Sequence, residues 1–90
     1  MTTVILAADH TSGDSTAVSM AHELGTKQSG IVQVDGIDDE TVKIQGRLEG
    51  GMGWVTIATF TSDDAQSVMI FPQMRVSMTG TGSITARIGA

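Results

Sequence analysis

The densest group of residues that could do chemistry is acidic. Four carboxylates lie close together at Asp35, Asp38, Asp39 and Glu40. Oxygen ligands of this kind bind calcium, but their order lacks the regular alternation and the closing glutamate of an EF-hand loop. We therefore expect these four to be solvated carboxylates in a turn. We expect the same of the adjacent pair Asp63 and Asp64.

Groups that could catalyse a reaction are sparse. The chain has two histidines, His10 and His22, and no cysteine. It contains neither a zinc-binding HExxH motif nor a Gly-x-Ser-x-Gly nucleophile motif. The Gly-Thr-Gly segment at 80–82 lacks the lysine of a phosphate-binding loop. We expect no catalytic residue, no metal and no cofactor, and predict that the protein is not an enzyme.

Basic residues and the only tryptophan are the candidate interface residues: Lys43, Arg47, Trp54, Arg75 and Arg87. The four cations alternate with apolar neighbours, which places them on outward faces of strands. They either keep these surfaces soluble and protect sheet edges, or meet acidic loops of a neighbouring copy. Trp54 is expected in the core or under a loop, because three aromatic residues in all are too few for a sugar-stacking platform.

Strands must position these side chains, since alternation is the dominant pattern. Three segments alternate between apolar and polar residues, which predicts one buried and one solvated face. These segments are 41–49, 73–79 and 83–88. Three others are apolar on both faces, which predicts cover from the core and a loop or from a neighbouring subunit. These are 4–8, 54–60 and 68–71, and a further short strand is predicted at 31–34.

Turn signals divide these segments at regular intervals, which indicates a β-sandwich or small barrel. The glycines at 80–82 are predicted to turn a β-hairpin. Residues 15–24 favour a strand in this context, while a helix stays open because Asp14 or Ser15 could cap it and Gly25 could end it. We predict one all-β domain over residues 1–90, an antiparallel β-sandwich or jelly-roll-like barrel of about seven to eight strands.

Composition sets further bounds on function. A chain of 90 residues fits a single domain. Ten acidic and five basic residues give a net charge of -5, which argues against a nucleic-acid partner. No apolar run approaches the roughly 20 residues of a membrane span, so no membrane partner is expected.

Two stretches carry a resemblance to a known class of protein. Residues 42–50, VKIQGRLEG, followed by WVTIA at 54–58, resemble the strand, small turn and Trp-containing strand of small virion proteins from tailed bacteriophages. Residues 72–86, PQMRVSMTGTGSITA, are similar to the C-terminal hairpin of those proteins. Together the two stretches cover about a third of the chain.

The resemblance implies a head decoration or cement protein, made in the host cytoplasm and located on the capsid surface of the virion. Its partners would be the major capsid protein and other copies of the chain, with a trimer favoured. A tail or head–tail connector component is an alternative. A small ligand- or glycan-binding module is another, with Trp54, Asp35 and Asp38 as the first residues to consider.

Overall fold

The computed structural model describes residues 2–20, 24–25 and 27–90. Nine β-strands lie in this part of the chain. They are β1 (Thr3–His10), β2 (Gly13–Asp14), β3 (Val18–Ser19), β4 (Ser29–Asp35), β5 (Thr41–Arg47), β6 (Val55–Phe60), β7 (Asp64–Met69), β8 (Gln73–Thr79) and β9 (Ile84–Gly89).

The strands form two antiparallel sheets that pack into a sandwich. The first sheet has the order β1-β9-β4-β7, and the second has the order β2-β8-β5-β6, with β3 also pairing with β8. This is the strand order of a jelly roll in which β2 and β3 share the place of one strand. The predicted all-β sandwich is therefore confirmed.

Alternation along the central strands builds the core between the sheets. In β4 and β5, every second residue is buried, as expected for strands with one face inward. The largest fully buried side chains come from both sheets and include Phe60, Ile44, Met74 and Ile84. The positions in between, such as Lys43 and Gln33, point away from the core.

The predicted hairpin at 80–82 is wrong. β8 lies in the second sheet and β9 in the first, so these residues carry the chain from one sheet to the other. Gly80 has a φ of 127°, and a Cβ there would lie 2.7 Å from Cγ of Glu40. A glycine-rich turn serves a hairpin and a sheet-to-sheet crossing equally well, which is why the sequence alone misassigned it.

Two predicted strand segments differ from the structure. Among the described residues of 15–24, strand conformation is confined to β3, and the backbone at Met20 and Leu24 is helical. His22 lies outside the described residues. The segment predicted at 68–71 is displaced toward the N-terminus, because β7 pairs with β4 along its whole length, from Asp64 opposite Val34 to Met69 opposite Ser29.

The segments predicted to be covered on both faces are open on one face. Ile5, Val55 and Met69 are 52%, 55% and 65% exposed, respectively. Each belongs to an edge strand, β1, β6 or β7, of one of the two sheets. Within the described residues, nothing covers the second apolar face of these three segments, although the apolar pattern predicted that both faces would be covered.

Candidate functional site on the outer face of the second sheet

Trp54 reaches the outer face of the second sheet because of a β-bulge. The register between β5 and β6 shifts between Ile44 and Gln45, which makes Ile57 an extra residue in β6. Strict alternation would direct Trp54 to the same side as buried Ala58. The extra residue reverses this direction, and the half-buried Trp54 lies outside the core. Of the two positions expected for Trp54, in the core or under a loop, the core position is therefore wrong.

Two guanidinium groups lie over the Trp54 ring. The Cζ atom of Arg47 is 4.2 Å from the ring centroid, and that of Arg75 is 4.4 Å from it. Both distances are well within the range in which a cation is attracted to the negative face of an indole. We call Arg47, Trp54 and Arg75 the Arg–Trp cluster.

A repeated Gln-x-Arg pattern holds the two arginines in place. Gln45 and Arg47 lie on β5, and Gln73 and Arg75 lie on β8. Antiparallel pairing puts each glutamine opposite the other strand's arginine. Arg47 Nε donates to Gln73 Oε1 at 2.7 Å, and Arg75 Nε donates to Gln45 Oε1 at 2.8 Å. The two glutamines fix the guanidinium planes, and the terminal nitrogens remain for other partners.

The terminal nitrogens of the two arginines have different surroundings. Arg75 Nη1 lies 3.3 Å from a carboxylate oxygen of Asp14 on β2, in a pair that is partly open to solvent. Arg47 Nη1 donates to the carbonyl oxygen of Met52 at 3.4 Å. Within the described residues, Arg47 has no carboxylate partner. The cluster therefore holds two cations and one nearby anion on a half-exposed surface.

The structure brings three of the five candidate interface residues together in the Arg–Trp cluster and places Lys43 on the same face of the sheet. Lys43, Arg47, Trp54 and Arg75 share the outer face of the second sheet. Arg87 lies on the outer face of the first sheet, 3.8 Å from Asp35. Sequence reasoning missed the supporting residues Gln45, Gln73 and Asp14. The matching Gln-x-Arg spacing at 45–47 and 73–75 is the signal that could have identified the two glutamines.

The acidic residues at 35–40 do not converge on a shared site. Among the described residues, no group of three or more His, Asp or Glu side chains is placed to hold a metal ion. Asp38 and Asp39 are exposed, as expected of turn carboxylates. Glu40 departs from that expectation, because it is only 2% exposed.

Glu40 is buried because its carboxylate joins two loops. Its Oε1 accepts from the Asp38 N–H at 2.9 Å, and its Oε2 accepts from the Gly82 N–H at 3.2 Å. A hydrogen bond with the Asp39 carboxyl, followed by the Asp38 N–H, lowers the pKa of Glu40. The same bond to Glu40 raises the pKa of Asp39. Glu40 therefore has a structural role, unlike the solvated residue that the sequence predicted.

Comparison with known proteins gives no significant match to a family model, a curated protein or a solved structure. In the ranges that the structure describes, no helix has the length and apolar character needed to cross a membrane. The candidate site therefore rests on its own geometry, a surface tryptophan under two arginines that paired glutamines orient.

Proposed function

We propose that this protein is a non-enzymatic structural component of a tailed-bacteriophage virion, a head decoration protein that binds the outer capsid and reinforces contacts between major capsid subunits. The observation that carries the proposal is the Arg–Trp cluster. It lies on β5, β8 and the turn before β6, within the stretches that resemble small virion proteins. Tryptophan and arginine dominate the binding energy of many protein interfaces, which suits this surface to a protein partner.

The hydrogen bonds that already orient the two arginines favour their binding to a protein surface. Because the glutamines already hold both Nε atoms, less side-chain freedom is lost when a partner contacts the terminal nitrogens. The open apolar side chains of β1, β6 and β7 offer further area for contacts with neighbouring subunits. Jelly-roll strand order is common in viral capsid domains, although fold by itself does not decide function.

Quantitative mass spectrometry of purified virions tests the proposal. The particles are those of the phage whose genome encodes this chain, and the major capsid protein provides the internal copy-number standard. A decoration protein is expected at a copy number comparable with that of the capsid subunit. Absence from the particle would refute a virion role, and a few copies per particle would identify a tail or connector component instead.

The alternative of a glycan-binding module gains no support from the geometry. Asp35 and Asp38 lie at the end of the sandwich opposite Trp54, so the three residues do not form one site. Two guanidinium groups also lie against the Trp54 ring, with Cζ atoms 4.2 and 4.4 Å from its centroid. We expect no binding on a glycan array, with or without calcium.

A further inference from the structure

One end of the sandwich is strongly acidic. The loops after β4, β6 and β8 meet there, since the Ile37 N–H donates to Asp63 at 2.7 Å and Glu40 accepts from Gly82. None of the chain's lysines or arginines lies in these three loops. We call this the acidic end. Seven of the ten acidic residues lie in its loops or at the adjoining strand ends: Asp9, Asp35, Asp38, Asp39, Glu40, Asp63 and Asp64.

The opposite end carries the Arg–Trp cluster. Arg47 closes β5 there, and the turn that follows brings Trp54 beneath it. Leu48, Met52 and Val55, in the turn and strand that follow Arg47, are 61%, 45% and 55% exposed. Burial of this apolar area against a partner would add to the attraction between opposite charges.

We propose that the acidic end of one copy docks onto the Arg–Trp cluster of a second copy, head to tail. The two surfaces are complementary in charge and belong to opposite ends of the same molecule. Arg47 is the central cation in this contact, because it has no carboxylate partner within the described residues. An exposed aspartate such as Asp38 is the matching anion, since no hydrogen bond in the described part of the chain engages its side chain.

A head-to-tail contact is heterologous, so it joins two different surfaces and can close into a ring. A cyclic trimer can be built only from contacts of this type. A standard interface takes about 800 Å² from each partner, which is roughly a sixth of this molecule's 4878 Å² surface. The inference goes beyond the proposed function, because it concerns the isolated chain and needs no capsid. It assigns the Arg–Trp cluster to the contact between copies, which leaves the exposed apolar side chains of the edge strands β1, β6 and β7 for contact with a capsid.

Sedimentation equilibrium of the purified protein tests the contact. The wild type is expected to self-associate at about 50 mM salt and to dissociate progressively toward about 500 mM, since salt screens charges that lie at a solvent-accessible interface. Arg47→Glu is expected to raise the dissociation constant at least about tenfold by placing like charges together. A wild type that stays monomeric at low salt would overturn the proposal.

Two charge-matched controls separate the contact from net charge. Lys27→Glu makes the same charge change as Arg47→Glu, but at an exposed position just before β4 of the first sheet. Glu49→Lys makes the same change as Asp38→Lys, but in the exposed turn near the Arg–Trp cluster. Asp38→Lys is expected to weaken association, and neither control is expected to do so. Equal weakening by a control and its matched variant would contradict a specific contact.

Mixing two defective variants tests the head-to-tail geometry. Arg47→Glu retains a native acidic end, and Asp38→Lys retains a native Arg–Trp cluster. Each variant alone is expected to be predominantly monomeric, whereas an equimolar mixture is expected to regain association through the two intact surfaces. Circular dichroism of each variant verifies that it is folded. Failure of folded variants to associate on mixing would rule out head-to-tail docking, and virion mass analysis would still decide the proposed function independently.

Discussion

At the scale of single residues, Glu40 shows how one acidic side chain can organise a fold without doing chemistry. Its carboxylate is nearly inaccessible to solvent and accepts hydrogen bonds from two loops. The glycines at 80 and 82 leave room for it, since a Cβ at either position would lie about 3 Å or less from Glu40 atoms. The burial of Glu40 therefore explains why glycine occupies both positions.

Glu40 predicts a loss of stability in acid. Its folded pKa lies below the ordinary value of 4.5, so its contribution is complete above pH 4.5 and is lost as pH falls through the folded pKa. Chemical denaturation across this range is expected to show a falling free energy of unfolding for the wild type. Glu40→Gln is expected to be less stable at neutral pH, because its NH₂ group would face an N–H donor, and to show a shallower fall in acid.

The Asp39→Asn variant is the control for the shared hydrogen bond. The raised pKa of Asp39 has the opposite effect on stability. The contribution of Asp39 to the free energy of unfolding is lost as pH rises through its folded pKa. Asp39→Asn is expected to retain the acid-side loss that comes from the loop contacts of Glu40. Parallel pH profiles for the wild type and Glu40→Gln would show that Glu40 does not cause the loss.

At the scale of elements, β5 combines the core and the surface cluster in one strand. Its inward residues include Gly46, against which the Phe71 side chain packs. Its outward residues include Gln45 and Arg47. A glycine in the middle of a strand normally weakens it, and here it makes room for an aromatic ring beside the strand.

Gly46→Ala is expected to destabilise the fold. The added Cβ would lie 2.6 Å from Cγ and 2.7 Å from Cβ of Phe71, so the ring and its backbone attachment must move. Overpacking of this kind costs about 1–3 kcal/mol, measurable by denaturant unfolding. Gly50→Ala is the matched control, because nothing lies within 4 Å of its added Cβ. A Gly46→Ala protein as stable as this control would contradict the packing argument.

Strand alternation predicted most of β4, β5, β8 and β9, because these strands have a regular buried face. It failed where the chain departs from a period of two. The extra residue Ile57 directs Trp54 to the outer face of the sheet, whereas strict alternation would direct it toward the core. The crossing at 80–82 depends on the distant Glu40, and contacts of this kind leave no local pattern. Alternation alone predicted outward positions for the cationic candidates at 43, 47 and 75, and the structure has them there.

At the scale of the whole molecule, burial is concentrated in four central strands. β5 lies between β6 and β8, and β9 lies between β1 and β4. β2 and β3 are two residues long and pair only with β8 within the described residues. A chain of this length ordinarily has a free energy of unfolding of about 5–13 kcal/mol. Strands with few partners open at a lower free energy than the central strands and therefore open first.

Hydrogen exchange is expected to follow this layout. Amides of β4, β5, β8 and β9 are expected to exchange slowest, at rates that approach the limit set by global unfolding. Amides of β2 and β3 are expected to exchange much faster through local opening. Measurement by NMR at neutral pH gives the ranking directly. Protection of β2 and β3 equal to that of β5 would contradict it.

The β-bulge that places Trp54 on the surface also determines which part of the protein its intrinsic fluorescence reports on. The chain has one tryptophan and no tyrosine, so its near-ultraviolet emission originates almost entirely beneath Arg47 and Arg75. A change in that emission therefore reports events at the outer face of the second sheet as well as unfolding. The protein thus carries an intrinsic fluorescent label at its candidate contact surface, and a second signal such as circular dichroism separates binding there from unfolding.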